Sequence, residues 1–449
     1  MLCRLKPDFP QIPSPQFSLC PILAARMKGS ALSQLGRRTA EPPITWLMRE
    51  ALVRPGLISL AAGFTDNPSL PVGITRDIMA DMLRSGKTGQ PPLQYGTTVG
   101  DETLRTLTAR RLAQLDGKSP KAKAYSPSRM MITHGSQQFL YILTEILCDT
   151  GDIVLVEDPS YFVYLGIMQS HDIRGRGIRM EADGIDLAHL EATLEALKNS
   201  GELPRLKALY LVSYHCNPTG TTTAIAKKAA ALKLLRRYEA AADHPIYLLE
   251  DAAYRELRFA GEDIPSTLTM DRTNDRVIYT STYSKPYATG VRVGYGLLPD
   301  PLLTAALRVK GNHDFGTTNF LQQLISLALG TGAYETHVQS LRKRYAKKAA
   351  AMVRACREHL PADVKWTDPT GGLYVWARMP PRVNTDLKSK LFAAALQQKM
   401  IYVPGNLCYA DDPTRRKPNR EMRLSFGSGS IPNIQEGIAR LGRALKKVM

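Results

Sequence analysis

Lys285 stands in the run Thr282-Tyr283-Ser284-Lys285-Pro286-Tyr287-Ala288-Thr289-Gly290-Val291-Arg292. Its amine can form a Schiff base with a carbonyl. The hydroxyls of Ser284 and Thr282, one and three residues before it, and the Arg292 guanidinium, seven after it, can hold a phosphate dianion. An aldehyde cofactor that carries a phosphate needs both functions side by side. Taken alone, a Ser-Lys pair describes a solvated surface lysine equally well, so the remainder of the chain decides.

Three other runs offer complementary chemistry. His134-Gly135-Ser136-Gln137-Gln138 follows the apolar stretch Met130–Thr133. A glycine turn that opens a helix presents free N–H groups to an anion, and Ser136 adds a hydroxyl; an ordinary helix cap has the same appearance. His215-Cys216-Asn217-Pro218-Thr219-Gly220 follows Ala208–Ser213, where Asn-Pro and Thr-Gly also suit a plain turn. Glu250-Asp251-Ala252-Ala253-Tyr254 follows Ile246–Leu249. A carboxylate there can cap a helix or keep a pyridine nitrogen protonated. Asn217, Asp251 and Lys285 are each separated by 34 residues, the length of one strand–helix unit per functional group.

Those groups converge only if the strands before them lie in one sheet. Periodicity predicts strands at Met130–Thr133, Ile153–Glu157, Ala208–Ser213, Ile246–Leu249 and Arg276–Thr280, and helices at about Ser136–Leu147 and Ala224–Tyr238. Alternating strands and helices argue for an α/β fold with a mostly parallel, doubly wound sheet, which gathers ligands at the strands' carboxyl ends. Upstream, Ile44–Leu52 reads as a short helix, Leu57–Gly63 as a buried strand, and about Asp101–Leu115 as an amphipathic helix. Past Leu302 helices dominate. A long one from about Ala333 to Leu360 is able to bridge two domains. Strands at Gly372–Met379 and Glu421–Phe426, with helices near Leu387–Gln398 and Ile434–Lys447, then form a smaller α+β domain. Residues 1–43 carry Pro7, Pro10, Pro13, Pro15 and Pro21, develop no apolar face and contain no signal-peptide h-region; disorder is expected there, with Met27 an alternative start.

Composition narrows the function. The 449 residues are 44% hydrophobic and 22% charged, the balance of a globular protein, and no apolar run reaches the length of a membrane span. Six scattered cysteines form no CxxC pair, so neither a metal site nor a disulfide framework is expected, and a cytoplasmic location is the simpler reading. The net charge of +18 invites a nucleic-acid reading. However, the basic residues are dispersed, and no zinc-finger spacing, RNA-binding aromatic motif or convincing helix-turn-helix accompanies them. Nucleic acid is therefore not expected to be the main partner. The densest basic group, Arg342-Lys343-Arg344 with Lys347-Lys348, reads as a solvated helix face, and Arg415-Arg416-Lys417 as part of a loop.

The order of these motifs resembles the fold-type I, pyridoxal 5′-phosphate-dependent enzymes, specifically the class I/II aminotransferases, over residues 44–449. The subgroup nearest by eye contains the 2-aminoadipate, kynurenine and aromatic or branched-chain enzymes. The resemblance implies an enzyme that passes an amino group from an L-amino acid to a 2-oxo acid by a ping-pong mechanism. It implies that residues 44–69 join the small domain, that 70–330 form the large cofactor-binding domain, and that 331–449 complete the small one. It also assigns roles. Lys285 carries the cofactor and moves the substrate's proton. Asp251 pairs with the pyridine nitrogen, while Tyr254 and Asn217 reach the ring oxygen. Gly135, Ser136, Gln137, Thr282, Ser284 and Arg292 form the phosphate cup, and Tyr161 stacks on the ring. Arg423, in Met422-Arg423-Leu424-Ser425-Phe426, grips the substrate carboxylate, and Gly63 lines the substrate site with Asn217. Tyr95, in Leu93-Gln94-Tyr95-Gly96, reaches a neighbouring subunit's cofactor, which implies a homodimer with shared sites.

The chain departs from the pattern at Ala62, Thr97-Thr98-Val99-Gly100, Pro286 and Ala288-Thr289. Arg49 is the only near candidate for the mobile arginine that gates the side-chain pocket in related enzymes. These departures touch the substrate rather than the cofactor. Two alternatives share the resemblance: a β-lyase or other non-transaminating enzyme on the same cofactor, and a regulator with an aminotransferase-like sensor.

Overall fold

Buried strands in a sheet covered on both faces are apolar at nearly every position, and their side chains alternate between the two faces. That rule describes the centre of this molecule, whose computed structural model describes residues 31–449. The large sheet comprises β1 (Met130–Thr133), β2 (Ile153–Asp158), β3 (Arg174–Glu181), β4 (Gly184–Ile185), β5 (Leu206–Val212), β6 (Tyr247–Asp251), β7 (Val277–Thr282) and β8 (Gly294–Leu297). Their spatial order is β1-β8-β7-β6-β5-β2-β3-β4. The run from β7 to β3 is parallel throughout, whereas β8 is antiparallel to both β1 and β7, and β4 to β3. Ile153, Leu155, Leu209 and Leu211 face one hydrophobic core; Val154, Val156, Tyr210 and Val212 face another on the opposite side.

The helix Gly135–Leu147 lies against the second face, and β8 lets it come close. A Cβ on Gly296 would stand 1.9 Å from the Phe139 ring, and one on Gly294 would stand 2.5 Å from the backbone of Gly135 and Ser136. Gly296→Ala is therefore expected to lower stability by about 1–3 kcal/mol through overpacking. Thermal unfolding of the purified variant measures this, and an unchanged midpoint would show that Phe139 can step aside.

A second sheet is antiparallel. It is built from β9 (Lys365–Trp366), β10 (Tyr374–Arg378), β11 (Val403–Pro404) and β12 (Glu421–Ser425) in the order β9-β10-β12-β11. The helices Ala333–His359, Lys390–Gln397 and Ile431–Val448 pack on it around a third core, which also takes in Leu47, Leu60 and Ala61. The 27-residue helix Ala333–His359 spans about 40 Å at the α-helical rise. Tyr334 and Val338 belong to the large sheet's core, and Leu341 through Cys356 to the third.

Several expectations need correction. The stretch Leu57–Gly63 forms only a two-residue strand, Ile58–Ser59, because its parallel partner is just Met400–Ile401. The basic face at 342–348 is not wholly solvated. Lys348 is buried and donates to Asp66 at 2.6 Å, and Arg344 pairs with the same carboxylate. Strands β3 and β8 and the helices Val72–Met82, Gly86–Leu93 and Leu187–Asn199 were not expected. Of the N-terminal stretch read as disordered, residues 1–30, with Cys3, Cys20 and Met27, lie outside the described residues; Gln34–Arg38 forms a short helix. Residues Arg38–Met449 form one compact unit, distinct from the residues through Arg37. Among the described residues, no helix is long and apolar enough to cross a membrane.

Candidate functional site

The carboxyl ends of β5, β6 and β7, the start of the helix Gly135–Leu147 and the loop after β2 open onto one cavity. Each strand end delivers a residue to it: Asn217 from the loop after β5, Asp251 from the last position of β6, and Thr282, Ser284 and Lys285 from the end of β7. Tyr161 and Tyr254 also line it.

One end of the cavity is built for an anion. Gly135 has φ +71°, and a Cβ there would meet Nη2 of Arg292 at 2.8 Å. A glycine is thus needed both for the turn and for the arginine's approach. Arg292 Nη1 donates to Ser284 Oγ at 3.2 Å, and Ser284 N donates to Thr282 Oγ1 at 3.0 Å. Ser136 and Gln137 line the same end at the first turn of the helix, where backbone N–H groups lack intrahelical partners. Among the described residues, Arg292 has no carboxylate within ion-pair distance, which leaves a cation and a helix terminus facing one space.

The opposite requirement is met at Asp251. Its carboxylate is buried, accepts from Tyr210 Oη at 3.0 Å and from Ala253 N at 3.0 Å, and has no cationic partner among the described residues. Burial pushes its pKa up to about 6, against the two hydrogen bonds that pull it down. A protonated ring nitrogen would supply the missing positive charge. Tyr210 escaped the sequence reading; it is an inward-facing strand residue, and nothing in the sequence separates it from the core.

Lys285 Nζ donates to Gly63 O at 2.9 Å and lies 5.8 Å from the centre of the Tyr254 ring. Burial, and then the positive charges of Arg423 and Arg292, push its pKa down to about 8. A substantial share of the amine is therefore neutral near physiological pH, as a nucleophile toward a carbonyl must be.

Arg423 comes from β12 and is 1% exposed. Nη1 donates to Asn217 Oδ1 at 2.7 Å and Nη2 to Ala61 O at 2.6 Å, while Nε has no partner. The guanidinium lies 4.3 Å from the Tyr374 ring centre and 5.2 Å from that of Phe162. No carboxylate pairs with it among the described residues. A buried cation in that state is costly unless an anion completes it, and a planar fork suits a bidentate carboxylate. Gly63 and Arg423 stand just outside the residues that line the cavity; Gly63 O accepts from Lys285 Nζ, and its α-carbon sits against Tyr374, whose Oη would be 2.6 Å from a Cβ at that position.

These observations test whether pyridoxal phosphate fits. A cationic, glycine-lined cup suits the phosphate, an unpaired buried carboxylate suits the pyridine nitrogen, and an amine with a depressed pKa suits the carbonyl. The residues fit the group. Two sequence candidates stand apart from this cavity. Tyr95 is 83% exposed and packs edge-on against Phe315 at 5.5 Å between ring centres. Arg49 pairs with Glu41 at the surface at 2.6 Å. Among the described residues there is no cluster of His, Cys, Asp and Glu that could hold a metal ion.

A family model for aminotransferase class I and II matches residues 56–441. Aromatic-amino-acid aminotransferase 1 of Thermococcus litoralis is 31% identical over 394 residues, which cover 88% of this chain and 89% of the relative. The 2-aminoadipate transaminase of Thermus thermophilus is 30% identical over 398 residues, covering 88% and 92%. The crystal structure of Pyrococcus horikoshii kynurenine aminotransferase, in complex with PMP and with KYN and KYA as substrate and product, matches with a TM-score of 0.84. It is 30% identical, and the match covers 93% of this chain and 97% of that one.

Proposed function

The chain belongs to the class I and II aminotransferases, pyridoxal-phosphate-dependent enzymes of fold type I, and from that membership we propose how its own residues divide the work. Bound pyridoxal phosphate supplies a carbonyl that accepts the amino group and a ring that draws electrons from the substrate's α-carbon. Gly135, Ser136, Gln137, Thr282, Ser284 and Arg292 hold the phosphate. Asp251 keeps the ring nitrogen protonated, Tyr161 covers the ring's face, and Asn217 and Tyr254 donate to the ring oxygen. Lys285 would hold the cofactor through its carbonyl, and an incoming amino acid would compete for that carbonyl. Once free, its Nζ would take the proton from the substrate α-carbon as a general base, with a pKa that burial pushes down to about 8. Arg423 binds the α-carboxylate of the amino acid and, in the second half-reaction, that of the 2-oxo acid.

The observation that carries this assignment is the buried Arg423 guanidinium, whose Nε is unpaired and which lies close enough to Lys285 to lower its pKa. An amino acid answers to both: its carboxylate would pair with Arg423, and its amine would compete with that of Lys285 for the cofactor's carbonyl. We further assign the functional unit to a homodimer in which Tyr95 reaches the neighbouring site. The support is the exposed Tyr95–Phe315 pair beside exposed Leu93, an apolar cluster of the kind a partner surface covers. The unpaired Cys148, Cys216, Cys356 and Cys408 suit a reducing cytoplasm.

Absorbance spectroscopy tests the reading. Aromatic amino acids, kynurenine and 2-aminoadipate are each expected to bleach the visible cofactor band, and 2-oxoglutarate or pyruvate to restore it. The donors converted fastest define the substrate. Release of ammonia and pyruvate from a cysteine-type substrate without any acceptor, with no such cycle for the panel, would overturn it.

A further inference from the structure

Tyr374 has no role in the division of work above, yet it connects two parts of the site. It opens β10, one strand away from Arg423 on β12, and the register sets Trp376 opposite Arg423 and Tyr374 opposite Ser425. Tyr374 and Trp376 project from the same face, so the Tyr374 ring falls under the Arg423 guanidinium. Its Oη lies 3.0 Å from Tyr254 Oη and is buried.

The direction of that hydroxyl–hydroxyl bond follows from its neighbours. Arg423 has only donors, so the Asn217 oxygen must face it. The Asn217 Nδ2 group then points at Tyr254 Oη, at 3.5 Å. Tyr254 thus accepts from Asn217. Between Tyr254 and Tyr374 one proton fills the shared bond and the other must go elsewhere. Tyr254 lines the cofactor cavity and Tyr374 does not. If Tyr254 donated to Tyr374, the Tyr374 proton would be left in a buried space with no acceptor among the described residues, an expensive arrangement. If Tyr374 donates, Tyr254 accepts from two groups and its own proton is free to enter the cavity.

We propose that Tyr374 is a positioning residue that aims and strengthens the hydrogen bond Tyr254 gives to the ring oxygen of bound pyridoxal phosphate. The proposal rests on the role given to Tyr254 above. Donation into Tyr254 polarises its O–H, so the two hydroxyls act as a relay ending on the cofactor. The relay also ties the carboxylate clamp to the cofactor's oxygen, because Arg423 orders Asn217 and covers Tyr374.

The readout is the pH titration of the visible absorption band of the holoenzyme. Donors to the ring oxygen stabilise its negative charge, which is most needed once the neighbouring proton on the Lys285 linkage has left; they therefore lower the midpoint, and removing them raises it. The charged and titratable groups facing the two hydroxyls are Arg423, Lys285 and Tyr161, with Arg292 and Asp251 lining the same cavity; none is changed in the variants. Tyr254→Phe is expected to raise the midpoint by roughly one pH unit, the loss of one charge-assisted bond. Tyr374→Phe keeps the ring over Arg423 and is expected to raise it by about 0.3 unit, the loss of cooperativity alone. The double variant should titrate like Tyr254→Phe, since Tyr374 acts only through Tyr254. A shift in Tyr254→Phe with none in Tyr374→Phe would overturn the relay and leave Tyr254's role standing. A Tyr374 effect that persists in the double variant would also overturn it. No shift in either single variant would remove Tyr254's role and the relay together.

Discussion

Lys285→Ala is expected to abolish transamination, by at least about three orders of magnitude in kcat/KM, while the protein still takes up pyridoxal phosphate. Two losses combine: the amine that anchors the cofactor and the base that moves the α-proton, the latter alone worth about 10²–10⁴-fold. The cup of Gly135, Ser136, Ser284 and Arg292 is untouched, because Lys285 makes its one direct hydrogen bond to Gly63 O and none to the cup. Equilibrium dialysis with pyridoxal phosphate and a coupled turnover assay separate the two effects. Cofactor retained with turnover gone is the expected pair of results. Turnover above background would mean that another residue is the base.

Arg423→Ala is expected to lower kcat/KM for every amino acid and oxo acid by about 30- to 5,000-fold, equivalent to about 2–5 kcal/mol for truncating one partner of a buried charge pair. The cofactor's affinity should change far less, because the Arg423 contacts run to Asn217, Ala61 and the rings of Tyr374 and Phe162, away from the phosphate cup. Arg423→Lys is expected to recover little, since an ammonium cannot reproduce the two-pronged fork. Amino-acid titrations and cofactor titrations of the same preparations decide the matter. Equal weakening of both would show that the arginine supports the cofactor's seat rather than the substrate's carboxylate.

The large sheet was legible where its strands are unbroken apolar runs. Met130–Thr133 has the predicted bounds, Asn217 and Lys285 follow strands, and Asp251, expected just past its strand, is that strand's last residue. The helix at 333–359 was legible from its length and amphipathic pattern. Strand β3 was not, because Arg174, Gly175, Arg176 and Gly177 have no strand signature of their own. The pairing with β2, and the ion pairs from Arg174 to Glu202 and Arg176 to Asp412, make them one. Helix Gly86–Leu93 was hidden by Pro91 and Pro92, which it tolerates at its final turn behind a Ser85 capping box. In the site, most residues that reveal themselves in sequence stand at strand ends beside turn formers; Arg423, in mid-strand, is named by the resemblance alone. Tyr210 and Tyr374 do not reveal themselves, because each sits in a strand and acquires its partner only through the packing of distant segments.

The glycine strand β8 leaves no clearance between the sheet and the helix above it. A lift at Phe139 would carry along the helix to its first turn, where Gly135, Ser136 and Gln137 line the cavity. With the phosphate held as proposed, positions 294 and 296 would therefore act as a gauge for how deep it sits. Natural or engineered variation that fits the rest of the strand would be felt there first as loosened cofactor retention, well before the enzyme loses its shape.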